Sequence, residues 1–227
     1  APLERQLAAA TDVLGARRAA GRIRECHGDL HTRNIVRDGG RLLAFDCLEF
    51  EPAFRWIDVA DDMAFLVADL EAQGVARLAH AFLQAWLESC GDWQACRLLP
   101  LYQAHRALVR AKVAALSSSA DAAATTAPRR AHARYLAHAA GVLRPQRPAV
   151  LLMCGLSGSG KTWLATRLAS ELAAVHLRSD IERKRAAGLA PLAASDSGVG
   201  RALYAPEATA ALYRRLLAHT ADIIAGG

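Results

Sequence analysis

A glycine-rich segment in the C-terminal third of the chain has the spacing of a phosphate-binding loop. Gly155, Gly160, Lys161 and Thr162 satisfy the pattern GxxxxGKT. Glycines let successive backbone N–H groups turn inward around a polyphosphate, and the N-terminus of the following helix adds a favourable field. The pattern predicts that Lys161 neutralises the β and γ phosphates of ATP and that Thr162 is a Mg²⁺ ligand. The residues predicted to bind the nucleotide are Gly155, Ser157, Gly158, Ser159, Gly160, Lys161 and Thr162.

A second segment, HGDLHTRN over residues 27–34, places Asp29 five residues before Asn34. The catalytic loop of protein kinases, HRDxxxxN, has the same interval between its base and its metal-binding asparagine. This spacing lets a carboxylate accept the proton of an attacking hydroxyl while the amide oxygen reaches a metal on the phosphates. Asp46, at the end of the next predicted strand, has the place of the metal-binding aspartate of the DFG motif. The alternative is an ordinary turn with solvent-facing polar groups.

Asp180 is a candidate base for the glycine-rich loop. It follows the predicted strand 174–177, at the sheet edge where open α/β sheets bind ligands. In P-loop kinases of small molecules, an acid at this place accepts the proton of the substrate hydroxyl. A helix N-cap at Ser179 or Asp180 explains the same residues equally well. The basic run 183–185 is interpreted as a solvated helix face rather than a phosphate contact.

Two other groups of polar residues have simpler explanations. His27 and His31 are interpreted as hydrogen-bonded structural histidines, with a zinc site formed by this pair and a carboxylate as the alternative. Seven acids and one base lie between residues 49 and 71. Such a surface suits a polycationic substrate. We favour a structural explanation, either an exposed helix face or pairing with Arg106, Arg110 and Lys112.

Composition narrows the class of protein. The chain has 227 residues and is 53% hydrophobic, which supplies a core and excludes disorder as the main state. Its 28 basic and 22 acidic residues permit anionic ligands, but no basic run is interleaved with aromatic residues, so a nucleic-acid partner is disfavoured. No apolar stretch is long enough to span a bilayer, and no signal peptide is recognisable, so we expect a cytoplasmic protein without membrane contact. Five cysteines without a CxxC pair are expected to be reduced thiols.

The hydrophobic pattern predicts the elements that position these residues. The first twenty residues suit a helix, residues 23–26 a short strand, and residues 38–40 a hairpin turn. The strand after this turn, 41–46, is predicted to be buried. Residues 117–128 are expected to be an interhelical loop, although their alanines could extend a helix. Helical spacing of apolar residues predicts helices over 56–70, 76–90, 98–116 and 129–142.

The C-terminal third changes to an alternation of strands and helices. The sequence RPQRP at residues 144–148 cannot continue a helix and is the predicted domain boundary. Beyond it the alternation predicts a parallel α/β sheet. The predicted strands are 149–154 and 174–177, and the predicted helices are 161–172, a helix from about residue 181, and 206–225.

These segments together resemble the bacterial bifunctional aminoglycoside phosphotransferase-like/ATP-binding proteins. The resemblance covers nearly the whole chain and rests on HGDLHTRN, FDCLEF, RWIDVADDMAFL, LYQAHRALVRAKV, GLSGSGKT and HLRSD. It implies an α/β fold, α+β overall. A mostly helical kinase-like C-lobe of the aminoglycoside phosphotransferase type would occupy residues 1–147, without its N-lobe. The first part of a P-loop α/β parallel-sheet domain would occupy residues 148–227.

The resemblance also implies roles for individual residues. Asp29 would be the catalytic base, Asn34 and Asp46 the Mg²⁺ ligands, and Asp62 a support that orients the catalytic loop. The implied activity is ATP-dependent phosphoryl transfer to a small-molecule hydroxyl that the sequence does not identify. The alternative function is a P-loop nucleotide-binding or ATPase module whose kinase-like half is a non-catalytic scaffold.

The ends of the chain suggest a fragment of a larger protein. Enzymes of this type need an N-lobe with a strand lysine, which nothing before Arg22 can hold. The sequence begins with Ala1 rather than methionine and ends on a helix stop at Gly226 and Gly227. We therefore expect an internal fragment.

Overall fold

A computed structural model describes residues 2–119, 126–190 and 204–227 of the chain. The chain divides into two compact units, described separately below. Unit 1 comprises Ala1–Ala79 and Arg97–Gln146, and unit 2 comprises His80–Cys96 and Arg147–Gly227. The grouping of His80–Cys96 with the C-terminal residues has no counterpart in the predicted domains 1–147 and 148–227.

Unit 1 is mainly helical, with two small sheets. Each sheet has two antiparallel strands, β1 with β4 and β2 with β3. A helix, α3, begins in unit 1 and continues into unit 2. The elements in chain order are α1 (Pro2–Ala19), β1 (Ile23–Glu25), β2 (Ile35–Asp38), β3 (Arg41–Ala44), β4 (Trp56–Asp58), α2 (Val59–Ala72), α3 (Ala76–Cys90), α4 (Leu99–Ser119) and α5 (Thr126–Val142).

The helix predicted over 56–70 begins three residues later than expected. Trp56–Asp58 pairs with Ile23–Glu25 as strand β4, which the sequence analysis did not predict. The Asp58 carboxylate then accepts a hydrogen bond from the Ala60 N–H at 2.9 Å and caps α2. Pairing across 30 residues of sequence therefore overrides the helical pattern at these positions.

The hairpin formed by β2 and β3 differs from prediction in its burial. Its turn at Gly39 and Gly40 is where the sequence placed it. Strand β3 is exposed rather than buried, with Leu42 75% and Leu43 40% accessible. Successive residues of a strand face opposite sides of a sheet, so neither side of this hairpin is fully covered.

The core of unit 1 lies between α2, α4 and α5. Most of the buried residues between these helices are alanines, and small side chains allow helix axes to approach closely. Residues 117–119 and 126–128 of the predicted interhelical loop belong to α4 and α5, while residues 120–125 lie outside the described residues. The buried cluster consists of Ala72, Ala104, Ala107, Ala111, Tyr135 and Ala139.

Unit 2 contains most of α3 and three further helices, and the parallel sheet predicted for it does not occur among the described residues. The predicted strands 149–154 and 174–177 are not hydrogen-bonded as strands. Residues 174–177 instead bond to side chains of α3: His80 Nε2 contacts the Ala174 carbonyl at 2.9 Å, and Gln84 bonds both backbone groups of His176. The further helices are α6 (Lys161–Leu172), α7 (Ser179–Ala186) and α8 (Pro206–Gly226).

The physical reason for this difference is that a strand requires a backbone partner. Within unit 2, residues 149–154 lack such a partner among the described residues, and their apolar side chains remain exposed, with Leu152 82% accessible. The apolar composition of residues 149–154 therefore indicated a tendency to form a strand, but it did not show whether a neighbouring strand is present to pair with. Within the described ranges, none of the helices is long and apolar enough to cross a membrane.

Candidate active site

Asp29, Asn34 and Asp46 come together in unit 1. Asp29 precedes a short 3-10 helix, Thr32–Asn34. Asn34 Nδ2 donates to the Asp29 carbonyl oxygen at 3.1 Å, to Asp29 Oδ2 at 3.3 Å and to the Asp46 carbonyl oxygen at 3.3 Å. Because Nδ2 makes these contacts, the side-chain oxygen of Asn34 is the atom that suits a hard cation such as Mg²⁺.

A pocket of about 350 Å³ opens at this cluster. Asp46, which is exposed, follows β3 with φ of +60°, a left-handed conformation that aspartate tolerates better than most residues. From Asp46 the chain continues along the pocket, and residues 46–50 line it together with Asp29. The lining residues are Asp29, Asp46, Cys47, Leu48, Glu49 and Phe50.

The environment of Asp29 favours its charged form. Partial burial opposes ionisation, but hydrogen bonding and charge from His31, together with Arg110 and Asn34, outweigh it and lower the pKa of Asp29 below its ordinary value. The carboxylate is therefore ionised at neutral pH and can accept a hydrogen bond from a hydroxyl in the pocket.

Asp62 on α2 supports the start of this loop. Its two carboxylate oxygens accept hydrogen bonds from the backbone N–H groups of His27 and Gly28, both at 3.0 Å. Burial raises the pKa of Asp62 despite these two bonds. Asp62 thus fixes the backbone immediately before Asp29, the position in which the resemblance placed a supporting carboxylate.

The neighbouring Asp61 holds the loop through an arginine that the sequence analysis did not assign to the site. Arg106 forms a two-point pair with Asp61, each contact 2.8 Å long, and donates a third hydrogen bond to the Gly28 carbonyl at 3.0 Å. Gly28 has φ of +81°, and a Cβ there would lie 3.0 Å from the Phe54 carbonyl oxygen. Only glycine fits this backbone conformation and this close approach to Phe54 without strain.

A third carboxylate of α2, Asp69, holds the other end of the loop. It accepts hydrogen bonds from the backbone and hydroxyl of Thr32, at 2.9 and 2.6 Å, and from Gln73 at 2.8 Å. The Tyr135 hydroxyl of α5 donates to it as well. Asp69 is 1% accessible, and burial opposes its ionisation, but the bonds from Thr32 and Tyr135 and the charge of Arg110 outweigh burial and lower the pKa of Asp69.

The acidic stretch is therefore neither an exposed helix face nor a cation-binding surface in its α2 portion. Asp58, Asp61, Asp62 and Asp69 are buried and bonded to protein groups. The available signal was the occurrence of acids on an otherwise apolar helix, since a carboxylate on such a face needs a partner. Pairing with Arg106 was predicted correctly, whereas the bonds to the loop backbone were not.

The two histidines of the loop have structural contacts. His27 Nε2 lies 2.8 Å from the Phe45 carbonyl oxygen, and His31 Nε2 lies 3.3 Å from Asp29 Oδ2. Among the described residues, no cluster of three histidine, cysteine or acidic side chains could hold a metal ion. The zinc alternative is therefore not supported.

The glycine-rich loop of unit 2 leads directly into α6, as the motif requires. Gly155, Gly158 and Gly160 have positive φ angles, and Gly160 is the N-cap of the helix. The Lys161 ammonium bonds the carbonyl oxygens of Gly155, at 2.7 Å, and Leu156. No carboxylate among the described residues pairs with this ammonium, so its charge faces only neutral groups of the loop.

Asp180 lies in the first turn of α7 and forms an ion pair with Lys184 at 3.2 Å. The N-cap of α7 is Arg178, and no side chain caps it, so the predicted capping role of Ser179 or Asp180 is wrong. The structure shows no contact between Asp180 and the glycine-rich loop within the described residues. The role of Asp180 as a base remains a prediction.

The basic run after Asp180 is not a solvated face throughout. Arg185 donates to the Ser89 carbonyl at 3.2 Å and to the Glu88 carbonyl, and its Nε lies 3.1 Å from Glu182 Oε1. Arg183 contacts the Thr209 hydroxyl at 3.2 Å. These arginines bind neighbouring elements of unit 2.

A buried carboxylate that the sequence analysis missed anchors α7. Glu182 is 0% accessible and accepts a hydrogen bond from Trp93 Nε1 at 3.0 Å. His219 Nε2 of α8 lies 3.5 Å from its other oxygen. Burial opposes ionisation of Glu182, but His219, Trp93 and Arg185 outweigh it and lower its pKa. Glu182 therefore links α7 to α8 and to the segment after α3.

Replacing Glu182 with glutamine is expected to destabilise the protein by about 1.5–3 kcal/mol at pH 7, because charged hydrogen bonds are lost in a buried site. The folded-state pKa of Glu182 is below its ordinary value of 4.5. Its stabilisation is therefore fully present above pH 4.5 and declines as the pH falls through the folded-state pKa. Urea unfolding across this range should show the two proteins converging in acid.

The exposed Glu207 of α8 provides the control for this measurement. Glu207→Gln should change the free energy of unfolding by less than about 1 kcal/mol, since the residue contributes only through the helix dipole. A constant difference between wild type and Glu182→Gln from pH 7 to pH 3 would contradict the assignment.

Comparisons with known proteins match the first and the last part of the chain to two different families. Residues 1–99 match the Phosphotransferase enzyme family, and residues 150–227 match the AAA domain family. Uncharacterized proteins of Mycobacterium bovis and of two strains of Mycobacterium tuberculosis are 32% identical over 216 residues. The match covers 92% of this chain but only 42% of each relative. No solved structure matches the chain.

The two family matches contain the two sequence motifs. The loop with Asp29 and Asn34 lies in the first match, and the glycine-rich loop lies in the second. The first part of the chain therefore matches the Phosphotransferase enzyme family and the last part the AAA domain family, which is the bifunctional arrangement that the resemblance implied.

Proposed function

We propose that the protein is an ATP-dependent phosphotransferase that acts on a small-molecule hydroxyl, with a second nucleotide-binding site in its glycine-rich loop. The observation that carries this proposal is that Asp29 and Asp46 line one pocket and that Asn34 is hydrogen-bonded to both. Membership of residues 1–99 in the Phosphotransferase enzyme family supports the same reaction class.

In this proposal Asp29 orients the acceptor hydroxyl and takes its proton. Asp29 is ionised and lines the same pocket as Asp46. The Asn34 oxygen and the Asp46 carboxylate are hard oxygen donors and suit Mg²⁺. Bound Mg²⁺-ATP would supply the phosphoryl group and neutralise its developing charge. Support from Asp61, Asp62 and Asp69 would keep Asp29 and Asn34 in register with the acceptor.

The glycine-rich loop also fits a nucleotide phosphate. Among the described residues, the Lys161 ammonium contacts two loop carbonyls and the Ser159 hydroxyl, and a bound anion would compensate its charge better than these neutral groups do. Thr162 follows at the first turn of α6, where a hydroxyl can reach Mg²⁺ bound to the phosphates. Asp180 is proposed as the base of this second site.

Lys161→Ala is expected to raise the dissociation constant of Mg²⁺-ATP at this loop about 10- to 100-fold, because one charge-assisted phosphate contact is lost. Calorimetric titration of the full-length protein measures this effect and counts the sites. Lys112→Ala removes the same charge from an exposed position of unit 1. It should leave the Mg²⁺-ATP affinities of both proposed nucleotide sites unchanged. An unaltered affinity in the Lys161 variant would refute the loop assignment.

The proposed activity is tested by measuring ATP consumption and product phosphorylation by the full-length protein. Aminoglycosides, sugars, nucleosides and short RNA 5′ ends would serve as acceptors, each with and without Mg²⁺. Acceptor-dependent and Mg²⁺-dependent turnover supports the proposal. ATP hydrolysis that is indifferent to every acceptor, and that disappears in the Lys161 variant, would instead favour the ATPase module with a kinase-like scaffold.

A further inference from the structure

His31 has the most unusual environment of the side chains around Asp29. Its ring is buried, with 6% of the side chain accessible, and it packs edge-on against Phe65 of α2 with 5.7 Å between ring centroids. Nε2 lies 3.3 Å from Asp29 Oδ2, while Nδ1 is buried and has no hydrogen-bond partner. A histidine needed only for packing could be an apolar residue, since its unpartnered nitrogen costs free energy in a buried site.

The two nitrogens indicate how the ring is oriented. An ionised carboxylate can only accept hydrogen bonds, so Nε2, the ring nitrogen that faces Asp29, carries a hydrogen. Nε2–H then donates to Asp29 Oδ2. The α2 side chain of Phe65 fixes the plane of the ring, and Arg106 in turn lies 4.9 Å from the centroid of Phe65.

The geometry points to His31 as a positioning residue for Asp29, an inference that rests on the proposed phosphotransferase function. Oδ2 of Asp29 receives two donors, Nε2 of His31 and Nδ2 of Asn34, each at 3.3 Å. Two donors on one oxygen restrict rotation of the carboxylate about its side-chain bonds. Oδ1 is thereby the oxygen directed to the acceptor hydroxyl, and His31 sets that direction without touching the acceptor or the nucleotide.

The test compares variants that keep or remove the donor. Glutamine can place its amide Nε2 where histidine has Nε2, whereas leucine has similar size and no donor. In the full-length protein, His31→Leu should lower kcat about 10-fold or more, the value of one hydrogen bond to a charged group. His31→Gln should recover most of this loss. The KM for ATP should stay within about twofold in both variants. The substitutions leave unchanged the binding energy that the ground state and the transition state have in common.

Parallel measurements separate this inference from the function on which it rests. Circular dichroism and thermal unfolding establish that the leucine and glutamine variants fold alike, and His31→Met is a second variant of similar length without a donor. Asp29→Asn reports on the function itself. Wild-type kcat in Asp29→Asn would overturn the phosphotransferase proposal and this inference together. Reduced kcat in Asp29→Asn with wild-type kcat in folded His31→Leu or His31→Met would overturn the inference alone.

Discussion

Asp29→Asn is expected to reduce phosphoryl transfer by the full-length protein about 10²- to 10⁴-fold, the usual contribution of a general base. Asparagine keeps the size of the side chain and can retain a contact with Asn34, but it cannot take a proton from the acceptor. The lowered pKa of Asp29 means that the wild-type carboxylate is ready to act throughout the neutral range. The measurement is steady-state transfer to whichever acceptor the screen identifies.

Nucleotide binding should survive this substitution. Asp29 lies beside the proposed metal ligands rather than among them, so the affinity for Mg²⁺-ATP in unit 1 is expected to change by less than a few-fold. Asp38→Asn, at the exposed end of β2, is a matched control that should leave transfer unchanged. Transfer at the wild-type rate by Asp29→Asn would remove the assigned base and with it the proposed reaction.

Arg17→Met is expected to cost about 3–5 kcal/mol of stability, because it leaves a buried aspartate without its cation. Arg17 contacts Asp58 at two points, 2.5 and 2.7 Å long, and the two side chains are 0% and 3% accessible. Asp58 also caps α2 and accepts the Tyr102 hydroxyl at 3.0 Å. The pair therefore ties α1 to the helix that carries the loop-supporting carboxylates.

Chemical denaturation followed by circular dichroism would measure this loss. Arg37→Met, on an exposed position of β2, should change the free energy of unfolding by no more than about 0.5 kcal/mol. The double variant Arg17→Met/Asp58→Asn should be less destabilised than the sum of its single variants, since the uncompensated charge is gone. Additive losses would mean that the two side chains do not interact energetically.

The local arrangement of the candidate site residues could be predicted from the sequence. The interval between Asp29 and Asn34 and the GxxxxGKT pattern each lie within one short segment, so chain connectivity alone keeps their residues near one another. Helix α6 has the predicted bounds, because the motif fixes its start at Lys161 and an apolar periodicity carries it to Leu172. Such features depend on neighbours along the chain.

Most contacts between residues that are distant in the sequence could not be predicted from it. Strand β4 forms because residues 56–58 meet residues 23–25, and no local pattern records that pairing. Residues 149–154 and 174–177 have strand-like composition, yet composition does not supply a neighbouring strand. Segment His80–Cys96 belongs to unit 2 through contacts such as those of Gln84 with His176, more than 90 residues away.

The amino-acid sequence by itself therefore indicated which side chains are candidates for phosphoryl transfer, and it predicted most of the helices that surround them. The tertiary structure decided what holds those side chains in place: Asp61, Asp62 and Asp69 on α2, Arg106 on α4, and His31 beside Asp29. The physical reason is that a buried carboxylate or imidazole is tolerable only with partners. Those partners are distant in the chain and become neighbours only when the helices pack.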